Sequence, residues 1–189
     1  MSEPMPQATV PVKHRIMIVD DEPFVVRALA TLLETQLRHD AVKVEAFTDP
    51  KAALARAAHI RYDVAISDYR MRPVDGIEFL KRLRHLQPGC VRLMLSATHE
   101  MATVVKAVND AGVYKYIPKP WPRDVATLIR DAIVRHDEQA EEQRLADERR
   151  REVGTLSDAE LERRRLEAEE PGITRVRFAP DGSLRLEDL

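Results

Sequence analysis

Ile16, Met17, Ile18 and Val19 form an unbroken apolar run that passes directly into three acids, Asp20, Asp21 and Glu22. Four consecutive apolar residues rich in β-branched side chains fit a strand buried on both faces, the kind found in parallel sheets covered by helices. The same alternation of element types then repeats along the chain. A strand at 15–20 is followed by a helix from Pro23 to Arg38, where Phe24, Ala28, Leu32 and Val25, Leu29, Leu33 recur at helical spacing. Residues 42–47 predict a second strand. Residues 49–60 predict a helix that Asp49 caps, with Pro50 in its first turn. Strands at 62–67, 91–97 and 113–119 alternate with helices at 76–86 and 100–112, Gly112 being placed to stop the latter. A last helix starts near Pro122, and residues 1–13, with three prolines and no periodicity, read as a disordered lead.

Five strands alternating with five helices imply an α/β fold: a five-stranded parallel sheet with helices on both faces and right-handed crossovers. Ligands of such folds bind at the carboxyl ends of the strands, near the point where strand order reverses. The acids after strand one sit at that edge. Strand three ends at Asp68, strand four at Ser96 and Thr98, and strand five at Lys119. Any one polar strand end is ordinary, and a solvated loop with capping acids would account for Asp20 to Glu22 alone. Their joint occurrence on four strands points to a site.

Composition narrows the function classes. The 189 residues suffice for one well-buried domain and some extra, and 44% apolar content fits a globular chain. Charge is unevenly spread: residues 1–136 hold 20 Lys and Arg against 16 Asp and Glu, whereas 137–189 hold 10 against 16. The acidic end argues against a nucleic-acid-binding tail. The single cysteine, Cys90, excludes an intrachain disulfide and suits a reducing compartment, with packing the expected role of its thiol. No apolar run reaches the length of a membrane span and the start lacks the apolar core of a signal peptide, so the expected location is cytoplasmic, away from membranes.

Asp20, Asp21 and Asp68 in one shallow pocket would repel by about 4 kcal/mol per close pair at an effective dielectric near 20. A hard divalent cation removes that cost, and Mg²⁺ binds through one or two carboxylates while keeping positions for water and phosphate oxygens. Flanked by such a metal and by the Lys119 ammonium, a carboxylate can act as a nucleophile on phosphorus and form an aspartyl phosphate. Phosphoryl transfer rests mostly on positioning and charge neutralisation. Neither a GxxxxGK[ST] loop nor a GxGxxG is present, so a nucleotide is not the evident phosphate source.

The stretches "IMIVDDEP", "VAISDYRM", "MLSAT" and "YKYIPKPW", in this order and spacing, resemble the receiver domain of two-component response regulators over residues 14–136. The resemblance is greatest to receivers of hydrogenase-type regulators and of regulators linked to HD-type cyclic-dinucleotide phosphodiesterases. It implies a flavodoxin-like fold, with Asp68 as phosphoacceptor and a histidine kinase as donor. Asp20, Asp21 and Asp68, with the backbone carbonyl of Arg70, would hold Mg²⁺. Lys119 and Ser96 would bind the phosphoryl group, and Ser96 and Tyr116 would form the conformational switch. Arg70 also projects near the site, where it could gate water attack on the phosphoryl group, a solvated loop arginine being the equal alternative. One departure is visible: "DYRMRPVDG" reads Met71-Arg72-Pro73, displacing by one the proline that the family usually places directly after Met.

Beyond the receiver, 137–170 reads as a charged helical extension. Its helical register is sparse in apolar residues and breaks at Gly154, and a Ser157–Glu160 capping box opens a second helix. Residues 171–189 read as a β-hairpin tail around an Asp-Gly turn, with Ile173, Val176 and Phe178 facing Leu184 and Leu186. A lone hairpin is marginal in water, so the extension is expected to pair with a second copy, giving a homodimer, or with a partner protein. The dipeptide His136-Asp137 resembles that of metal phosphohydrolases, but no further histidine follows it. The expected function is a phosphorylation-dependent signalling protein with no enzymatic activity beyond self-phosphorylation and autodephosphorylation. Two others stay open: the receiver portion of a longer regulator whose output enzyme lies outside this chain, and a receiver-like module that binds partners without phosphorylation. The intact acids and Lys119 argue against the last.

Overall fold

The computed structural model describes residues 12–97, 109–152, 158–169, 177–178 and 184–185. The strands are β1 (His14–Val19), β2 (Val42–Phe47), β3 (Val64–Asp68), β4 (Val91–Ser96) and β5 (Val113–Pro118). They form one parallel sheet in the order β2-β1-β3-β4-β5. The chain leaves β1 toward one edge and returns to its other side for β3, so strand order reverses between β1 and β3.

Side chains of one strand alternate between the two faces, and both faces are covered. Ile16 and Ile18 of β1 join Ile66 and Leu93 in a layer closed by α1 (Pro23–Gln36) and by the first half of α4 (Val125–Glu152), through Leu29, Leu33 and Ile129. Met17 and Val19 join Ala65 and Met94 in the opposite layer, closed by α2 (Pro50–Ala57) and α3 (Gly76–Leu86) through Ala53, Phe79 and Leu83. This two-sided burial explains why β1 and β3 read as continuous apolar runs.

Local chemistry sets the helix starts. The Asp49 side chain accepts the Lys51 N–H at 2.9 Å ahead of Pro50, and the Asp75 side chain accepts the Glu78 N–H at 2.9 Å. Gly112 has φ of +61° and ends the helical residues 109–111, which agrees with its expected role as a stop. The expected helix at 100–112 otherwise falls largely outside the described residues, as does Thr98. Two expectations are corrected. The core face of α1 is Val26, Leu29 and Leu33, whereas Phe24 is 80% exposed, because it stands in the first turn beyond the edge of the sheet. The last receiver helix starts at Val125 rather than near Pro122, since residues 123–124 form a turn first.

Helix α4 runs on without a break to Glu152, and His136 is its last buried residue among those described. A second helix, α5 (Asp158–Glu169), lies alongside: Arg164 pairs with Asp147 at 2.6 Å, and Arg61 donates to the Ala168 carbonyl at 3.3 Å. Ser157, the expected cap, falls outside the described residues. Two short strands, β6 (Arg177–Phe178) and β7 (Leu184–Arg185), pair antiparallel with Phe178 opposite Leu184, as the expected hairpin requires. No helix among the described residues is long and apolar enough to cross a membrane.

Candidate functional site

The carboxyl ends of β1, β3, β4 and β5 converge on one pocket. Asp20 follows β1 directly and is fully buried; its Oδ1 accepts the Glu22 N–H at 2.9 Å, which turns the chain into α1. Asp68 is the last residue of β3 and is 6% exposed. Its Oδ2 accepts the Arg70 N–H at 2.8 Å. Asp21 is exposed and accepts the Arg72 N–H at 3.2 Å, tying the acidic turn to the loop after β3. Asp20, Asp21 and Asp68 each offer one carboxylate oxygen, and these lie within 4.8 Å of one another. An all-oxygen set of this charge and spacing fits a hard divalent cation.

Lys119 is the cross-brace. Its N–H donates to the Ser96 carbonyl at 2.9 Å, which fixes the end of β5 against the end of β4. Its ammonium lies 2.6 Å from Asp20 Oδ2, 2.7 Å from Asp68 Oδ1 and 4.0 Å from Glu22 Oε1. Burial pushes this ammonium downward, but the hydrogen bonds to Asp20 and Asp68 outweigh that and hold it above its ordinary pKa. Burial likewise pushes the Asp20 carboxyl above its ordinary pKa, a shift the Lys119 and Glu22 hydrogen bonds oppose and the neighbouring Asp68 charge reinforces. Among the described residues the pocket therefore holds two buried carboxylates against one cation.

Ser96, the last residue of β4, is buried, and its carbonyl also accepts the Tyr116 hydroxyl at 3.0 Å. Tyr116 is half-buried against the α2–α3 layer, whereas Tyr114 is 41% exposed beside an irregularity in the β4–β5 pairing. Arg70 is exposed, with its amide on Asp68. The loop with the displaced proline has a cis Arg72–Pro73 peptide, and Met71 is buried in the α2–α3 layer. All the residues expected at this edge and described thus meet there. One residue escaped sequence reasoning. Gly76 returns to the β3 end, donating its N–H to the Tyr69 carbonyl at 2.9 Å, and a Cβ there would overlap the Asp68 carbonyl. The only sequence signal is an Asp-Gly pair a few residues past the end of β3. The Cys90 thiol is buried and its pKa pushed up to about 12 by that burial, as a packing role requires.

Among known proteins, the hydrogenase transcriptional regulatory protein HoxA of Cupriavidus necator is 34% identical over 121 residues, 62% of this chain and 24% of that protein. The regulatory protein AtoC of Escherichia coli is 34% identical over 116 residues, 61% of this chain and 24% of that protein. The match thus spans about a quarter of the length of these relatives. Among solved structures, the signal receiver domain of an HD domain-containing protein from Pseudomonas fluorescens Pf-5 superposes with a TM-score of 0.63 at 25% identity, covering 72% of this chain and 98% of that one. The family model of the response regulator receiver domain matches residues 16–130. That match takes in the sheet from Ile16 onward and every acid of the pocket, and on it the chain belongs to the response regulator receiver domain family.

Proposed function

We propose that this receiver is a phosphorylation switch in which Asp68 accepts a phosphoryl group from the phosphohistidine of a histidine kinase. The observation that carries this reading is the position of the Lys119 ammonium, 2.7 Å from one Asp68 oxygen while the Arg70 amide holds the other. A carboxylate oxygen of Asp68 bonds to phosphorus as the bond from phosphorus to the kinase imidazole, or to the acetate of acetyl phosphate, breaks. Lys119 balances the charge that gathers on the phosphoryl oxygens, and the buried surroundings strengthen that attraction. Mg²⁺, held by Asp20, Asp21, Asp68 and the Arg70 carbonyl, supplies further neutralisation of those oxygens when bound. Ser96 hydrogen-bonds the phosphoryl group, and Tyr116 changes rotamer with it, exchanging its bond to the Ser96 carbonyl. The chemistry ends there, with autodephosphorylation and no other enzymatic step.

Output leaves through the C-terminal parts: receiver at 14–136, helical extension at 137–170 and hairpin tail at 171–189, acting by homodimerisation or by docking a partner protein in the cytoplasm, without nucleic acid. A second reading, that of a receiver portion of a longer regulator of the cyclic-dinucleotide phosphodiesterase type, is favoured by the likeness to the receiver of an HD domain-containing protein. The test is intact-mass analysis of the chain with Mg²⁺ and acetyl phosphate. One phosphoryl group on the wild type, none on Asp68→Asn and none on Asp21→Ala is the expected result. Equal labelling of Asp68→Asn overturns the acceptor, and wild-type labelling of Asp21→Ala overturns the metal ligand.

A further inference from the structure

At the opposite edge of the sheet, about 20 Å from the acidic pocket at roughly 3.3 Å per strand residue, two histidines and an aspartate meet. His14 opens β1, Asp63 precedes β3 and His136 lies on α4, and their exposures are 5%, 9% and 7%. One ligand atom from each lies within 4.8 Å of the others. His14 Nδ1 is 3.4 Å from Asp63 Oδ2, and His136 Nε2 is 3.2 Å from Asp63 Oδ1. Neither nitrogen makes a hydrogen bond, although both are fully shielded from solvent. We infer that His14, Asp63 and His136 form a second cation site, selective for a borderline transition metal of the Zn²⁺ class, that pins the C-terminal helix to the sheet.

The outer nitrogens support the assignment. His136 Nδ1 is hydrogen-bonded to Asp137 Oδ1 at 3.2 Å, and His14 Nε2 lies 3.8 Å from Asp137 Oδ2. A neutral His136 that donates from Nδ1 to Asp137 presents its Nε2 lone pair to the Asp63 carboxylate. Two acceptors then face one another in a buried site, which costs free energy unless a cation intervenes. A metal needs only lone pairs converging on a common point. Zn²⁺ at about 2.0–2.1 Å from tetrahedral ligands holds them about 3.3 Å apart, comparable with the 3.4 Å from His14 Nδ1 to Asp63 Oδ2 and the 3.2 Å from His136 Nε2 to Asp63 Oδ1. The carboxylate behind the ligating histidine is the second-shell arrangement that fixes its tautomer and orientation. Asp63 Oδ2 is itself oriented by the Arg15 N–H at 2.9 Å, and Lys13 reaches Asp137 at 3.7 Å from outside. The donor set, two imidazoles and a carboxylate, differs in kind from the all-oxygen pocket, so the two sites select different metals.

The test is titration of the chelator-treated full chain with Zn²⁺ and Co²⁺ in excess Mg²⁺, which occupies the acidic pocket. One equivalent is expected to bind, with the visible d–d bands of four-coordinate Co²⁺. His14→Gln and His136→Gln should each weaken binding by about 100-fold or more, and Asp137→Asn by about 10–100-fold. Asp68→Asn should leave it unchanged. Absence of binding at micromolar Zn²⁺, binding indifferent to both histidine variants, or binding lost in Asp68→Asn overturns the site. X-ray absorption on the wild-type Zn²⁺ complex covers variants that fail to fold: imidazole scattering supports the assignment, and an all-oxygen shell overturns it.

Discussion

Gly76 rests directly on the main chain of Asp68, so closely that a β-carbon at position 76 would overlap the Asp68 carbonyl oxygen. The contact joins the start of α3 to the end of β3, and the same segment closes through the Gly76 N–H on the Tyr69 carbonyl. Backbone cannot yield as a flexible side chain can. Gly76→Ala should therefore push α3 away from the β3 end, costing about 1–3 kcal/mol of stability and moving Asp68 relative to Lys119. Urea unfolding and the rate of labelling by acetyl phosphate measure the two effects; a variant with wild-type values of both shows that the loop gives way freely.

Lys119 stands between two buried carboxylates, and removing it leaves them facing one another uncompensated. Breaking a buried pair by deleting one partner typically costs about 3–5 kcal/mol, less where water reaches the site. Lys119→Met should lower stability, and Asp20→Asn in the same chain should restore much of the loss, because it removes the buried charge left unpaired. A double-mutant cycle in urea checks the coupling. Strict additivity would mean that Lys119 and Asp20 do not interact in solution.

How much of this could be read in advance depended on whether the information was periodic or positional. The strands and the edge carrying Asp20, Asp68, Ser96 and Lys119 were legible because an apolar run buried on both faces announces where it ends, and each end carried a polar group. Phe24 was misjudged, since helical spacing alone does not tell a core stripe from residues at the helix start that overhang the sheet. Gly76 leaves no periodic trace: its contact with Asp68 is made by a loop coming back on itself. His136 was passed over because no histidine follows it, whereas its neighbour His14 precedes it by most of the receiver. Only the parallel pairing of β1 with β3, covered by α4, brings the two together.

Glu45 supplies a pH dependence that can be signed. Burial pushes its carboxyl upward, but hydrogen bonds from Tyr62, Lys43 and Arg56 outweigh it and hold the pKa below the ordinary 4.5. The Tyr62 hydroxyl donates at 2.8 Å from a fully buried ring, and burial followed by the Glu45 charge pushes its own pKa upward. A carboxyl depressed by folding adds stability that is fully present above pH 4.5 and lost as pH falls through the folded value. Glu45→Gln should thus cost about 1–3 kcal/mol at neutral pH, with the gap to wild type closing below pH 4.5. Paired thermal melts across that range decide it; a gap independent of pH would place the contribution of Glu45 in packing rather than charge.

Beyond His136 helix α4 leaves the sheet and none of its described residues is buried. Leu145 is 41% exposed, and on the partner helix α5 Leu166 is 38% exposed. Among the described residues α4 and α5 are joined by ion pairs at or near the surface, such as Arg164 with Asp147, and pairs of this kind add little to stability. A helix as short as α5 is marginal in water without apolar packing, and ordering it beside the extended end of α4 has an entropic cost that such pairs do not offset. A second copy supplies the missing surface, and symmetric pairing is the commonest way for soluble chains to do so. The full chain is therefore expected to be a dimer by light scattering, and a chain ending after Ala140 a monomer with the receiver's unfolding transition intact. Leu145→Arg and Leu166→Arg should dissociate the full chain without altering acetyl-phosphate labelling of Asp68. A full chain that stays monomeric at tens of micromolar, with and without phosphodonor, would leave the extension as a docking element for a different protein and end the case for self-pairing.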